Sequence, residues 1–442
     1  MRVRSLKSGL YLGTLLFGLV APSQLLAAGE PTPAQSPNQT PTPPEGATMP
    51  APDGSTAPVP VPEMMPVPAP MPETTVIIVA PPAPPPPPSF RIEGSDKSAL
   101  RIGLLLQPQF QYVNHATLDK YSSNLYLRRT RILLGGTLFG TFDYFLDTDY
   151  PNLFLPASAG TGATATYLKN TPGMNIQDAF GTWKVFHDFV KVDVGYMLPP
   201  LIHNALQGAT TLYSWDYFSY AFRHSDGFGA SATPVGRDMG VQARGLLADG
   251  HVEYRAGLFQ GLRQAPTGTT PGDEVGARNF FRFAARVQLN LLDAEPGFFY
   301  QGTYLGTKKI LSVGGTVDLQ DSYRMYGGDV FVDLPIAPLG VVTAQVDLAH
   351  WDGHDFVTLP KQTALMGEAG FMLTDLRLGP VLRFERLWLT GDNNDQTRYV
   401  AGIAFWPYGH NSNVKAFYTR FKDQGAARGL NQFNVQWQLY FF

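Results

Sequence analysis

The chain contains no cysteine. Disulfides are thereby excluded, and so is a lipid-modified cysteine at a processed N-terminus. Past Gly29 no run reaches the roughly 18 apolar residues a membrane helix needs. A chain that lives in a bilayer must then cross it as strands. An excess of charge of one sign is missing as well: the formal net charge is −3, so no basic field directs it to nucleic acid. Helical periodicity is scarce. No nucleophile elbow, phosphate-cradling glycine loop or nucleotide fingerprint occurs, and the eight histidines are scattered. The residues point away from an enzyme, and no cofactor is expected.

What is present gathers first at the two ends. Arg2, Arg4 and Lys7 precede an apolar stretch from Leu10 to Val20, and Leu26-Ala27-Ala28 stands before Gly29. That plan predicts a cleaved secretory signal over residues 1–28, with an uncleaved anchor as the competing reading. The other end closes on Tyr440-Phe441-Phe442. A barrel whose last strand pairs with its first sets such an aromatic at the membrane boundary. Export and an aromatic end together predict the outer membrane of a Gram-negative bacterium, with its lipid as a partner.

Residues 29–89 hold 22 of the 38 prolines, five acidic residues and no basic ones. Such a segment buries too little apolar area to fold and predicts an extended, polyproline-rich periplasmic spacer. It serves either as a tether with possible cell-wall contact or as a solvated linker without a partner.

From Phe90 to Phe442 the texture is that of strands. Phe281, Phe283, Ala285, Val287 and Leu289 alternate with Arg282, Ala284, Arg286, Gln288 and Asn290. Val190, Val192, Val194 and Tyr196 alternate with Lys191, Asp193, Gly195 and Met197. A soluble sandwich alternates in the same way, so length and spacing decide. Sixteen segments are expected: 99–112, 125–139, 141–149, 174–186, 189–198, 237–247, 251–260, 278–290, 308–319, 324–334, 340–351, 364–374, 377–390, 397–407, 412–422 and 431–442. Most reach the ten or so residues a tilted membrane strand requires, against five or six in soluble sheets. The connections after odd-numbered strands are long (113–124, 150–173, 199–236, 261–277, 352–363), and most of the others are tight. Two places fit poorly: 291–307 is long on the tight side, and Gln320 to Tyr323 is short on the long side.

In lipid an open edge would leave backbone groups unpaired at several kcal/mol each. The expected fold is therefore all-β, a closed transmembrane antiparallel up-and-down barrel of sixteen strands with both ends on the periplasmic side. The last strand leaves its phase open. Phe433, Val435, Trp437, Leu439 and Phe441 share the lipid parity, whereas Phe442 shares the other.

Specific stretches resemble the phosphate-selective porin O and P family. They include Leu127-Arg128-Arg129-Thr130-Arg131, Gly136-Thr137-Leu138-Phe139-Gly140, Asp178-Ala179-Phe180 and Val194-Gly195-Tyr196-Met197-Leu198-Pro199-Pro200. Arg237-Asp238-Met239-Gly240-Val241, Tyr254 to Gly261, Tyr304 to Leu311 and Tyr326 to Phe331 continue the likeness. It implies a trimeric sixteen-stranded barrel with one loop folded inward to narrow a pore. Phosphate-selective members present lysines and arginines at that constriction. Here the matching loop, 199–236, has no lysine and one arginine, Arg223, and is aromatic instead. The departure argues against phosphate selectivity.

Arginines on the inward parity are Arg101, Arg129, Arg131, Arg244, Arg255, Arg282, Arg286 and Arg383. One facing lipid at mid-depth would cost roughly 2–4 kcal/mol. They form either a basic ladder that guides anions or ion pairs with Asp143, Asp147, Asp193, Glu253, Asp329 and Glu385 that stiffen the wall. Pairing suits 30 basic against 31 acidic residues in 90–442. Tyr213, Trp215, Asp216, Tyr217 and Arg223 are the constriction candidates, provided the loop folds inward rather than against neighbouring subunits. His350 and His354 could hold a metal only on a helix, and Asp392 to Asp395 reads as a polar hairpin tip. The expected function is passive passage of small hydrophilic solutes, with anions preferred. The alternative is a barrel that anchors envelope layers without transport.

Overall fold

The computed structural model describes residues 89–115, 120–159, 166–169, 173–222, 236–263, 280–357, 359–391, 395–422 and 429–442. The signal and nearly all of the proline-rich segment lie outside them. In chain order the strands are β1 (Phe90–Glu93), β2 (Ala99–His115), β3 (Lys120–Leu138), β4 (Phe142–Asp149), β5 (Pro156–Ala159) and β6 (Thr166–Lys169). β7 (Asn175–Phe186) and β8 (Val190–Met197) precede a one-turn helix, α1 (His203–Leu206). Next come β9 (Asp238–Leu247), β10 (Val252–Phe259), β11 (Arg282–Asn290), β12 (Ile310–Gln320) and β13 (Tyr323–Ile336). The rest are β14 (Gly340–Asp352), β15 (Gln362–Leu373), β16 (Leu378–Leu389), β17 (Gln396–Phe405), β18 (Ser412–Phe421) and β19 (Leu430–Phe441).

Sixteen of these form one antiparallel ring. Sequential neighbours pair from β2 through β4 and β7 to β19, and β19 returns to β2 with Phe441 opposite Leu104 and Leu430 opposite His115. β5 and β6 pair only with each other. Each predicted strand has its counterpart. Closure follows from the outer face: Ile132, Val194, Leu258, Val287, Val346, Leu382 and Ile403 are all exposed. Such a surface is stable in hydrocarbon, and there only a ring satisfies every backbone group. Exposed aromatics sit near both ends: Phe139, Trp183, Phe186, Phe189 and Tyr408 by the tight turns, Tyr326, Tyr399 and Tyr418 toward the long loops. These are the girdles of a membrane barrel.

The connection expected over 113–124 is shorter, because β2 and β3 run on until His115 faces Lys120. The tight place after Gln320 is a two-residue turn, Asp321-Ser322. Phe442 points inward. Its ring lies 4.4 Å from the Arg101 guanidinium and meets Phe145 edge-on at 5.7 Å. β1 stands outside the ring, on the edge of β2 that β19 leaves free: Phe90 opposes Ile102 and packs on Phe441 at 5.2 Å.

Candidate functional site

At Met197 the chain leaves the wall, and the described parts of the connection, 198–222 and 236–237, are largely buried inside the ring. The first N–H groups of a helix have no partner within it. In α1, inward carboxylates supply them: His203 N donates to Asp329 Oδ2 and Asn204 N to Asp347 Oδ1, both at 3.1 Å. Gln207 Nε2 donates to Gln345 Oε1 at 2.9 Å. The segment then crosses to the opposite wall. Gln438 Nε2 donates to the Thr210 carbonyl (2.8 Å), and Lys415 Nζ to those of Leu212 and Ser214. Glycines on the inner wall make room. A Cβ on Gly327 would stand 2.6 Å from the Ile202 side chain, and one on Gly370 would stand 2.5 Å from the Tyr213 hydroxyl.

The wall's lumen face is accordingly not polar throughout, and the sequence expectation needs correction there. Leu201, Ile202, Ala205, Phe218 and Tyr220 pack on inward Met325, Ala349, Trp351, Ala364, Met366 and Leu387. That is a small apolar core inside a membrane barrel. Water is excluded because two apolar surfaces cover each other.

The long connection on the tight-turn side, 291–309, also enters the ring. Leu206 and Gly208 exchange backbone hydrogen bonds with Tyr300 at 3.0 and 2.9 Å. The fully buried His203 ring is stacked between Tyr300 and Phe331, with centroids 4.7 and 4.3 Å away. Its Nε2 lies 3.1 Å from Glu295 Oε2, and Tyr304 and Gln288 donate to the same carboxylate at 2.9 Å. Burial opposes ionisation of Glu295, yet His203 and these donors together hold its carboxyl below the usual range. The sequence reading did not find His203, Glu295 or Tyr300. The one available signal was the misfit itself, a seventeen-residue connection over 291–307 where only a turn was needed.

The eight predicted arginines all face the interior, and seven are paired. Arg131 donates to Asp147 and Asp149 at 3.1 Å, and Arg244 to Asp193 at 2.8 Å. Arg255 donates to Glu253 at 2.7 Å and to the Phe298 and Gly297 carbonyls. Arg282 on Asp318 and Arg286 on Asp329 are two-pronged. Arg383 binds Glu368 at 2.7 Å and reaches Glu385 and the Tyr217 carbonyl. Arg101 alone has no ion pair among the described residues; its guanidinium lies over the Phe442 ring. Of the expected acidic partners Asp143 pairs with Lys184 instead, at 2.8 Å.

Arg129 has a companion that strict alternation hides. The β2–β3 register shifts between Leu106 and Pro108, so the strand bulges and Arg128 and Arg129 both turn inward. They grip Asp216 from two sides, at 2.8 and 2.6 Å. Burial works against the charge on Asp216, but the two guanidiniums hold its carboxyl well below the ordinary carboxylate range. Tyr217, beside it, lies 5.4 Å from the Arg129 guanidinium, and burial raises its phenol. Tyr213 is set apart from this group, stacked on Trp406 at 5.6 Å, while Arg223 lies outside the described residues.

Among the described residues, two cavities between loop and wall stand out. The outer, about 390 Å³, opens toward the long loops and is lined by Arg128, Arg129, Arg131, Arg383 and Arg398 against Asp149, Asp216 and Glu385. The inner, about 600 Å³, lies toward the tight turns. Arg91, Arg101, Arg131, Lys184, Lys191, Arg237 and Arg244 line it against Asp143 and Asp147. Arg131 and Tyr217 belong to both linings, so the two cavities lie on either side of these side chains. Both have more cations than anions, and both hug the β2–β4 side.

His350 Nδ1 is 2.8 Å from Thr363 Oγ1, and His354 is exposed 3.4 Å from Asp352. Among the described residues no group of three or more metal-ligating side chains occurs. Asp395 pairs with Arg386 at 3.2 Å; 392–394 lie outside the described residues.

A closed sixteen-strand wall with girdles and an inward loop is an architecture that outer-membrane porins share. At the level of fold one solved structure agrees. The anion-selective porin from Comamonas acidovorans superposes with a TM-score of 0.52 at 14% identity, covering 78% of this chain and 100% of that one. OmpF of Salmonella typhi, in complex with daunomycin, gives 0.49 at 12% identity over 80% of this chain and all of its own. The channel DcaP of Acinetobacter baumannii gives 0.48 at 10%, over 79% and 99%. No family model matches the chain, and no curated protein does.

Proposed function

We propose that this chain is a passive diffusion channel of the outer membrane for small hydrophilic solutes, with anions preferred. One observation carries the reading: two positively lined cavities lie inside the ring, one toward each end, with only a short separation at Arg131 and Tyr217, which line both. A permeating anion needs attraction enough to enter and weakness enough to leave. Ion-paired arginines supply that, because each guanidinium keeps donors while its neighbouring carboxylate offsets its charge. Membership of the phosphate-selective porin O and P family remains part of the proposal. Phosphate selectivity is not, since the inward loop brings Asp216 and aromatic rings rather than lysines. A homotrimer is the proposed assembly, with residues 1–28 removed on export and 29–89 as periplasmic spacer; native mass spectrometry would read both, expecting three chains beginning at Gly29.

The decisive test is reconstitution into planar bilayers under a salt gradient. Stepwise conductance with a reversal potential on the anion side is expected. A silent bilayer would instead favour the envelope-anchoring barrel.

A further inference from the structure

We infer that the outer cavity is a binding subsite for aromatic monocarboxylates, a deepening that rests on the channel reading above. Its volume of about 390 Å³ lies within the roughly 300–1,000 Å³ of small-molecule sites. The lining joins two chemistries that a route for inorganic ions would not need together: guanidiniums, and the rings of Trp215, Tyr217 and Phe421. Arg398 is the pivot. Its guanidinium lies 5.0 Å from the Tyr220 ring and 5.1 Å from that of Phe421, and its carboxylate neighbour, Glu385 Oε2, is 3.8 Å away.

Donors are left over at this place. Arg398 Nε, Arg131 Nε and Thr419 Oγ1 lie buried beside the cavity without a hydrogen-bond partner, a costly condition for each. A carboxylate matches the guanidinium fork, and its ring can stack offset on Phe421 or Trp215. Glu385 Oε2 is also unpartnered. It repels a second negative charge, so a monoanion suits the site better than a phosphate dianion. A strongly hydrated inorganic anion would lose water against the rings and gain nothing from them.

The full chain in planar bilayers tests this with benzoate, acetate and inorganic phosphate, each added in turn to one side. Benzoate added from the long-loop side should half-block the current at a concentration about 5- to 10-fold below that of acetate, the gain one stacked ring brings. Arg398→Gln and Phe421→Ala should each erase that difference while stepwise conductance persists. Equal block by benzoate and acetate in a conducting channel overturns the subsite and leaves the channel reading standing. Saturation-transfer NMR on the detergent-solubilised protein reads the site without conduction. A benzoate signal lost in both variants supports the subsite even should bilayers stay silent, and no signal from the unaltered protein overturns it.

Discussion

Asp216 is the residue on which selectivity turns. It neutralises Arg128 and Arg129 together, and no other carboxylate pairs with either of them among the described residues. Asp216→Asn should leave both cations facing the outer cavity. One unit charge a few Å from the ion path is worth about 1 kcal/mol in water-like surroundings, so the anion-to-cation permeability ratio should rise about five-fold, read as a shift in reversal potential. The pH dependence has a definite sign. The folded carboxyl titrates below a free aspartate, so the clamp is complete above about pH 4 and weakens only as pH falls through the depressed value. The contribution of Asp216 to selectivity should be flat from neutrality down to that point. His410 behaves differently. Burial, with Lys415 nearby, pushes its imidazole down to about 4. The unfolded turn binds a proton from about pH 6.5 and the folded one does not, so stability there declines as pH falls between those values. Amide exchange over Trp406 to Asn411, corrected for intrinsic rates, should quicken between pH 7 and pH 5; equal protection at both would refute the assignment.

Among the elements, the described parts of the connection, 198–222 and 236–237, take up lumen space. Removing Leu206 to Phe222 deletes the segment facing β13 to β19 and should raise single-channel conductance several-fold, whereas an unchanged step would place the narrowing elsewhere. Strands were legible in the sequence because a two-sided wall writes itself as alternation: Val287 and Leu289 face out, Arg286 and Gln288 face in. The interior was legible only in part. Pairing for most of the arginines followed from charge balance, but Arg128 did not, because a bulge changes parity without changing composition. Met325, Ala349 and Met366 are apolar residues on the inward face. They are the seat of α1 and Phe218, and a long-range contact leaves no local period. Inward glycines such as Gly327 and Gly370 were the readable trace, since a wall facing open water has no need to give up its side chains there.

For the whole barrel, the two cavities are eccentric: their linings follow β2 to β4 and β7 to β9, then β16 to β18, while the space beside β13 to β15 is occupied. The two flanks should differ in what they bear. Arg286→Gln strands Asp329 in a buried network, and breaking such a pair costs about 3–5 kcal/mol. Arg101→Gln touches one ring and should cost about 0.5 kcal/mol or less. Unfolding of the detergent-solubilised barrel in guanidinium would rank them, and equal midpoints would count against a filled half. Under drift, unpaired positions of the hollow flank such as Arg101 can then exchange and retune what it admits, while the filled flank holds still. A single chain could in this way acquire new permeants across lineages without renegotiating its own architecture.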